Sequence, residues 1–410
     1  MAQLHPFRAL RPAPAAAPSV SSVPYDVVST EEARQIAADN ALSFLHVTRA
    51  EIDLPPDTDP YSPSVYEKAR ANLEALRERA PLELDEVPSI YLYRLRMGNH
   101  EQTGVAGCFS IDEYESDVIK KHERTRRDKE DDRTRHIVEL RAQTGIVFLT
   151  YKATGEVDDI AGQVTAGEPV YDFTADDGVR HTVWRAGLDH TQALVQAFQR
   201  IPSLYIADGH HRAASAARAR AEVGDRQGST ADAADASTFI AVAFPDAQMQ
   251  VLPYNRTVKD LAGKSPEQFL DALRQVVPVA DGSASPAVKG DVRMYLAGKW
   301  YALDFRGLRP EDASRASGLD VARLQRAVLE PLLGIGDVRS DKRIDFVGGG
   351  RGLGELEKRV ASGEMAVAFA LYPTQMDDLM AVADAGKIMP PKSTWFEPKL
   401  ADGMVNHVLD

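Results

Sequence analysis

The chain has 410 residues, 44% of them hydrophobic and 27% charged, which supplies two or three buried cores and excludes a disordered or fibrous protein. Its 61 acidic against 48 basic side chains leave a formal charge of −13, a field that repels nucleic acid and anionic membrane. The single cysteine, Cys108, excludes an internal disulfide and a thiolate zinc cluster, and within Val105-Ala106-Gly107-Cys108-Phe109 it reads as a small core residue.

Residues 1–22 carry two arginines but only Ala, Pro and Ser where a signal peptide needs an apolar core, so they are expected as a flexible lead-in. No apolar run approaches the ~18 residues that span a bilayer. A cytoplasmic location without a membrane partner is expected. Ser29 with Glu32 makes a capping box that opens a helix, and a second helix is expected over Ser64–Arg79. Ser89–Leu95 alternates like a strand, with Thr103–Ser110 as its hairpin partner. Helices over Ile111–Thr125 and Lys129–Thr144 then flank a charged run and lead to the strand Gly145–Tyr151. A strand at His181–Arg185, a helix near Thr191–Arg200, the strand Leu204–Ala207, a surface loop over 223–237 and a buried strand Thr238–Phe244 follow. In the last third, Ser265-Pro266-Glu267-Gln268 caps a helix, Val292–Phe305 turns at Ala297-Gly298, and helices at Leu319–Leu333 and Gly352–Ser362 precede an apolar strand Met365–Tyr372. Interleaved strands and helices predict an α/β or α+β class with mixed sheets. The expected division is 1–22, an N-terminal α+β region 23–151, a region 152–260, and a C-terminal α+β region 261–410.

The most informative stretch is Tyr205-Ile206-Ala207-Asp208-Gly209-His210-His211-Arg212, where an apolar strand ends and an Ala-rich helix begins. Gly209 lets backbone approach a ligand, and a helix N-terminus offers unpaired N–H groups to an anion. Arg212 adds a fork matched to phosphate or carboxylate, and His210 and His211 can move protons or touch phosphate. A second cluster pairs His122 with Glu123 as acid and base. It sets Lys129 one helical turn from Arg133, a spacing suited to a polyphosphate. No histidine lies four residues beyond His122, so this is not a zincin site, and no metal-ligating residues are expected. The third is a Pro-framed loop, Met389 to Lys399, presenting Lys392, Ser393, Thr394 and Lys399; its Lys-Ser-Thr lacks the upstream glycines of a P-loop. Gly348–Gly354 reads as a flexible turn and His46 as a satisfied core histidine.

These motifs resemble the DUF1015 family of uncharacterised bacterial and archaeal proteins. The resemblance runs nearly the whole chain: Pro24-Tyr25-Asp26-Val27 with Ser29, Phe44–Val47, His122-Glu123 with Thr125, Lys129–Arg133, Ala207–Arg212, Leu252-Pro253 and Met389–Lys399. It departs at Tyr254-Asn255-Arg256, where the family pattern tends to carry a histidine before the arginine. Asp208-Gly209-His210-His211-Arg212 also resembles a box of the ParB/sulfiredoxin-like superfamily, whose helix N-terminus holds nucleotide phosphates. That superfamily includes CTP-binding partition proteins, sulfiredoxins and free-serine kinases, and the Asp-Gly-His-x-Arg form looks most like the kinases.

What the resemblance implies is a ParB/sulfiredoxin-like nucleotide-binding core with extra α+β subdomains. Its activity would be nucleotide-dependent phosphoryl transfer to a small hydroxylated metabolite, free L-serine first. Asp208 or Glu123 would be the base, with His122 and His210 as further catalytic candidates. Gly209, His211, Arg212, Lys129, Arg133, Lys392, Ser393, Thr394 and Lys399 would hold ATP or ADP. A magnesium ion would be bound mostly by phosphates and water. The alternatives are a nucleotide-binding NTPase switch without a small acceptor, and a ParB-like DNA-binding regulator, which the net charge disfavours. A nucleotide and a small-molecule substrate are the expected partners, nucleic acid is not, and a homodimer is left open.

Overall fold

The alternating run at Tyr91–Met97 folds back on His100–Ser110, and this hairpin forms the middle of a nine-stranded sheet in a computed structural model that describes residues 1–226 and 235–409. The chain divides into two compact units, Met1–Met249 with Pro398–Asp410, and Gln250–Glu397. The strands of the large sheet are β1 (Leu4–His5), β2 (Tyr91–Met97), β3 (His100–Ser110), β4 (Ile119–Lys120), β5 (Val147–Tyr151), β6 (Tyr171–Thr174), β7 (Arg180–Arg185), β8 (Leu204–Asp208) and β9 (Thr238–Pro245). They lie in the order β4-β8-β5-β9-β3-β2-β7-β6, with β1 on β3. Only β4 with β8 and β5 with β9 run parallel, so the sheet is mixed.

β5 and β9 are buried along their whole length, which matches their continuous apolar composition; strands covered on both faces have no polar side to alternate with. The helices that matter here are α1 (Thr30–Ala37), α2 (Pro63–Arg79), α3 (Arg127–Leu140), α4 (Gly155–Thr165), α5 (Leu188–Phe198) and α6 (His210–Arg226). Phe109, Tyr151, Phe198 and Phe239 meet between α5 and the sheet, each fully buried and each contributing roughly 1.5–3 kcal/mol. α3 and α6 pack side by side, pinned where Ser215 Oγ donates to the Glu130 carbonyl at 3.2 Å and Arg218 pairs with Glu130 at 3.2 Å. Cys108 is buried on β3, and burial pushes its thiol well above the ordinary range, so it is an unreactive core residue.

The second unit is an antiparallel six-stranded sheet in the order Val279–Asp281, Lys299–Asp304, Asp291–Leu296, Val367–Ala370, Tyr254–Val258, Ile344–Gly348. The Ala297-Gly298 turn has both residues at positive φ, 48° and 82°, as a two-residue hairpin of the right twist requires. Ser265 and Gln268 form the expected capping box with Pro266 just inside the helix. Ser29 and Glu32 do the same for α1.

Several expectations are corrected. The lead-in at 1–22 is built into the fold: Leu4–His5 joins the large sheet, Ala9–Pro12 pairs with Leu82–Leu84 and Asn406–Val408, and Leu4, Phe7, Leu10 and Val20 are buried. The helix expected over 111–125 ends at Glu115, because Asp117 turns left-handed (φ 58°) and Ile119 is drawn into the sheet beside Leu204. The expected border after Tyr151 falls inside the large sheet, where β5 lies between strands that come later in sequence. Residues 398–410 belong to the first unit, so a single C-terminal region 261–410 does not form. Most of the loop expected at 223–237 lies outside the described residues, and α6 extends to Arg226. Among the described residues, no helix is long and apolar enough to cross a membrane.

Candidate functional site

β8 carries the apolar run Leu204–Ala207 out of the core and delivers Asp208 to its end. Gly209 then turns with φ +94°, and a Cβ there would lie 3.0 Å from Arg212 Nε and 3.4 Å from Val147 Cα. Only glycine fits that turn. α6 starts at His210, so the backbone N–H groups of its first turn face away from the helix without intrahelical partners. The expected juxtaposition of strand end, glycine and helix start is present.

The charges around the turn are arranged in pairs. Asp208 Oδ2 accepts from Lys399 Nζ at 3.1 Å, and Asp208 Oδ1 lies 3.6 Å from Arg212 Nη2. Burial alone would raise the Asp208 carboxyl, but Lys399 and Arg212 outweigh it and hold the group well below the ordinary carboxylate range. Arg212 does not reach out as a free fork. Its side chain is 7% exposed, lies under the Gly209 turn, donates to the Ile146 carbonyl and sits 3.5 Å from Asp26 Oδ2. Burial opposes its charge, yet Asp26 and Asp208 raise its pKa further. The arginine therefore fixes the turn and two carboxylates.

The two histidines tie the turn to the segment ahead of α3. His211 Nε2 accepts the Arg126 backbone N–H at 3.0 Å, and His210 Nε2 lies 3.4 Å from the His122 backbone N–H. Acceptance at Nε2 requires a ring nitrogen without a proton. Burial, followed for His210 by the neighbouring His122, lowers both pKa values in the same sense. His122 and His210 meet edge to face, with ring centroids 4.5 Å apart. His122 is 2% exposed and approaches the Ile206 carbonyl, but neither ring nitrogen makes a hydrogen bond of normal geometry within the protein, an arrangement that costs about 1–3 kcal/mol per unsatisfied group. Burial lowers its pKa to about 4. Glu123 beside it is exposed, and donor atoms of His122, Glu123 and His210 all lie within 4.8 Å of one another.

The remaining predicted residues are placed differently. Lys129 Nζ donates to the Tyr61 hydroxyl at 2.7 Å. Arg133 is held by Asp132 at 2.9 Å and the Thr48 carbonyl at 3.3 Å, with its guanidinium 4.2 Å from the Tyr25 ring centroid. One helical turn apart, the two are engaged by different partners and make no joint clamp. The Met389–Lys399 loop is divided between the units: Lys399 stands on Asp208 in the first, Lys392, Ser393 and Thr394 belong to the second. There Ser393 Oγ donates to the Pro390 carbonyl at 2.6 Å. Buried Arg256 donates to the Lys392 carbonyl at 2.9 Å, so that loop's backbone is fixed from below. Asn255, at the departure from the family pattern, accepts the Leu371 N–H at 3.1 Å as a core group.

Two site residues escaped sequence reasoning. Asp26 lay in the recognised Pro24–Val27 motif without a chemical role, and Asp402 had no local signal at all. Asp402 is 2% exposed and accepts the Tyr25 N–H at 3.3 Å. Burial raises its pKa to about 7, against the pull of Arg212 and with the push of Asp26. The folded protein thus holds a proton that the unfolded chain releases above its ordinary value of 3.8, so this group's contribution to stability falls as pH rises from there to about 7. Asp402→Asn is expected to remove that trend, gaining about 2–3 kcal/mol at pH 8 relative to pH 5. Urea unfolding at the two pH values checks it, and an unchanged difference between them would count against the assignment.

A family described as a protein of unknown function, DUF1015, matches residues 4–324. No curated protein matches the chain. Among solved structures, SbnI with a C-terminal truncation from Staphylococcus aureus is 12% identical, with 73% of this chain and 86% of that chain covered and a TM-score of 0.38. A free serine kinase mutant in complex with AMP is 12% identical, covering 72% and 86%, with a TM-score of 0.35. A conserved hypothetical protein from Pyrococcus furiosus is 14% identical, covering 74% and 94%, also with a TM-score of 0.35. Likeness at this level assigns no chemistry to the chain.

Proposed function

The chain belongs to the DUF1015 family, and we propose that it transfers a phosphoryl group from a nucleotide, ATP or ADP, to a small hydroxylated metabolite, with free L-serine as the first candidate. The observation that carries this is the turn from Asp208 through Gly209 into α6, with the exposed carboxylate of Glu123 beside His210. A helix N-terminus reached through a left-handed glycine is suited to phosphate, and a neighbouring carboxylate is suited to a hydroxyl proton.

In this scheme the α6 N–H groups and the His211 edge hold the phosphates. Lys399 and Arg212 keep the Asp208 end of the turn in place. Glu123 takes the acceptor's hydroxyl proton as its oxygen forms the new P–O bond, and the bond to the nucleotide oxygen breaks. Asp208, whose carboxylate is neutralised by Lys399 and Arg212, is a correspondingly weak base and serves to hold the turn. Magnesium would supply charge neutralisation between phosphates, with oxygen ligands from the nucleotide and water.

Incubation with each nucleotide, magnesium and L-serine, followed by mass spectrometry, should yield phosphoserine. Nucleotide hydrolysis that ignores every acceptor would favour the switch instead. Absence of nucleotide binding, with a salt-dependent shift of DNA, would overturn both in favour of a regulator.

A further inference from the structure

We propose that His122, Glu123 and His210 together bind a divalent transition-metal ion of the zinc type. Their donor atoms lie within 4.8 Å of one another, one set from the loop before α3 and one from the first residue of α6. A tetrahedral ion bound at about 2.0–2.2 Å holds its donors roughly 3.3–3.6 Å apart, so modest side-chain rotation closes the set.

The second observation is His122 itself. It is 2% exposed, packs edge to face on His210, and approaches the Ile206 carbonyl without either ring nitrogen making a hydrogen bond of normal geometry within the protein. A buried imidazole normally has one, and a metal ion is among the few groups that satisfy a neutral ring nitrogen in an enclosed space. The long 3.4 Å approach of the His122 N–H to His210 Nε2 is readily given up.

The donor set also selects the metal. Two imidazoles and one carboxylate suit zinc, iron, cobalt or nickel, whereas magnesium takes oxygen ligands and keeps its waters. Glu123 is exposed while both histidines are buried, so the fourth position would open toward solvent and accept water or an anion's oxygen. The positive end of α6 opposes a cation, and the carboxylate of Glu123 offsets it.

With the ion bound, Glu123 is a ligand and no longer the base of the phosphoryl-transfer scheme; the proposal does not depend on that scheme, so its test uses no nucleotide. The full chain, stripped with a chelator, is titrated with Zn2+ by calorimetry and with Co2+ by visible absorption. Micromolar or tighter Zn2+ binding with Co2+ ligand-field bands is expected, undisturbed by millimolar Mg2+. His122→Ala, His210→Ala and Glu123→Gln should each weaken Zn2+ by at least about tenfold. Glu123 is exposed, so its variant keeps the test valid if a histidine variant fails to fold. No Zn2+ binding by the wild-type chain, or binding that the folded variants leave unchanged, overturns the proposal, whatever the outcome of the phosphoserine assay.

Discussion

Replacing Glu123 with glutamine is expected to lower the rate of phosphoserine formation by about 10²–10⁴-fold, the usual contribution of a positioned general base, while nucleotide affinity stays close to that of the wild-type chain. The amide has the shape of the carboxylate but cannot accept the hydroxyl proton. Glu123 lies in the loop before α3 and is exposed, so the substitution disturbs no core packing. The contrasting variant is Asp208→Asn. Asp208 is bonded to Lys399 and near Arg212, and neutralising it leaves those cations without their common partner. Its loss should appear in nucleotide binding as well as in turnover. Single-turnover rates and binding titrations on both variants separate the two roles. A Glu123→Gln protein that turns over within about threefold of wild type would remove Glu123 as the base.

The part of this site written in local sequence was the part that sequence could reveal. Asp208 to Arg212 follows an apolar strand and precedes an Ala-rich helix, so strand end, glycine turn and helix start were all visible in eight consecutive residues. The capping boxes at Ser29 and Ser265 and the Ala297-Gly298 hairpin were legible for the same reason, since each depends on neighbours within a few positions. Asp402 was not legible, because its partner Tyr25 is 377 positions away and only the closed fold brings a carboxyl under that amide. Arg133 was read as a phosphate ligand from its spacing to Lys129. Spacing along a helix cannot tell whether a side chain meets solvent or, as here, the face of Tyr25. The N-terminal segment misled by composition: Ala is depleted in strands and Pro interrupts them, yet both are small enough to fill an edge, and Ala2, Ala9 and Ala17 are all buried.

Arg212→Ala should be the most destabilising single change at the site. The guanidinium is 7% exposed, touches the Ile146 carbonyl, and stands between Asp26 and Asp208 at 3.5 and 3.6 Å. Removing one partner of a buried ionic group leaves the others uncompensated and typically costs about 3–5 kcal/mol. Arg212→Lys keeps the charge but gives up the planar fork that reaches three acceptors at once, so an intermediate loss is expected. The pH dependence has a definite sign. The Asp208 carboxyl is depressed in the folded protein, so its contribution is complete above the ordinary value of 3.8 and is lost as pH falls below it. The cost of Arg212→Ala should therefore shrink as pH is lowered through that range, because a protonated Asp208 no longer needs the cation. Hydrogen exchange of the β5 and α6 amides, followed in urea at neutral and at acid pH, reads the effect in the unit where the arginine sits. A loss below about 1 kcal/mol at neutral pH would show that Arg212 is not what holds the turn, and its side chain would then be free to serve the phosphates directly.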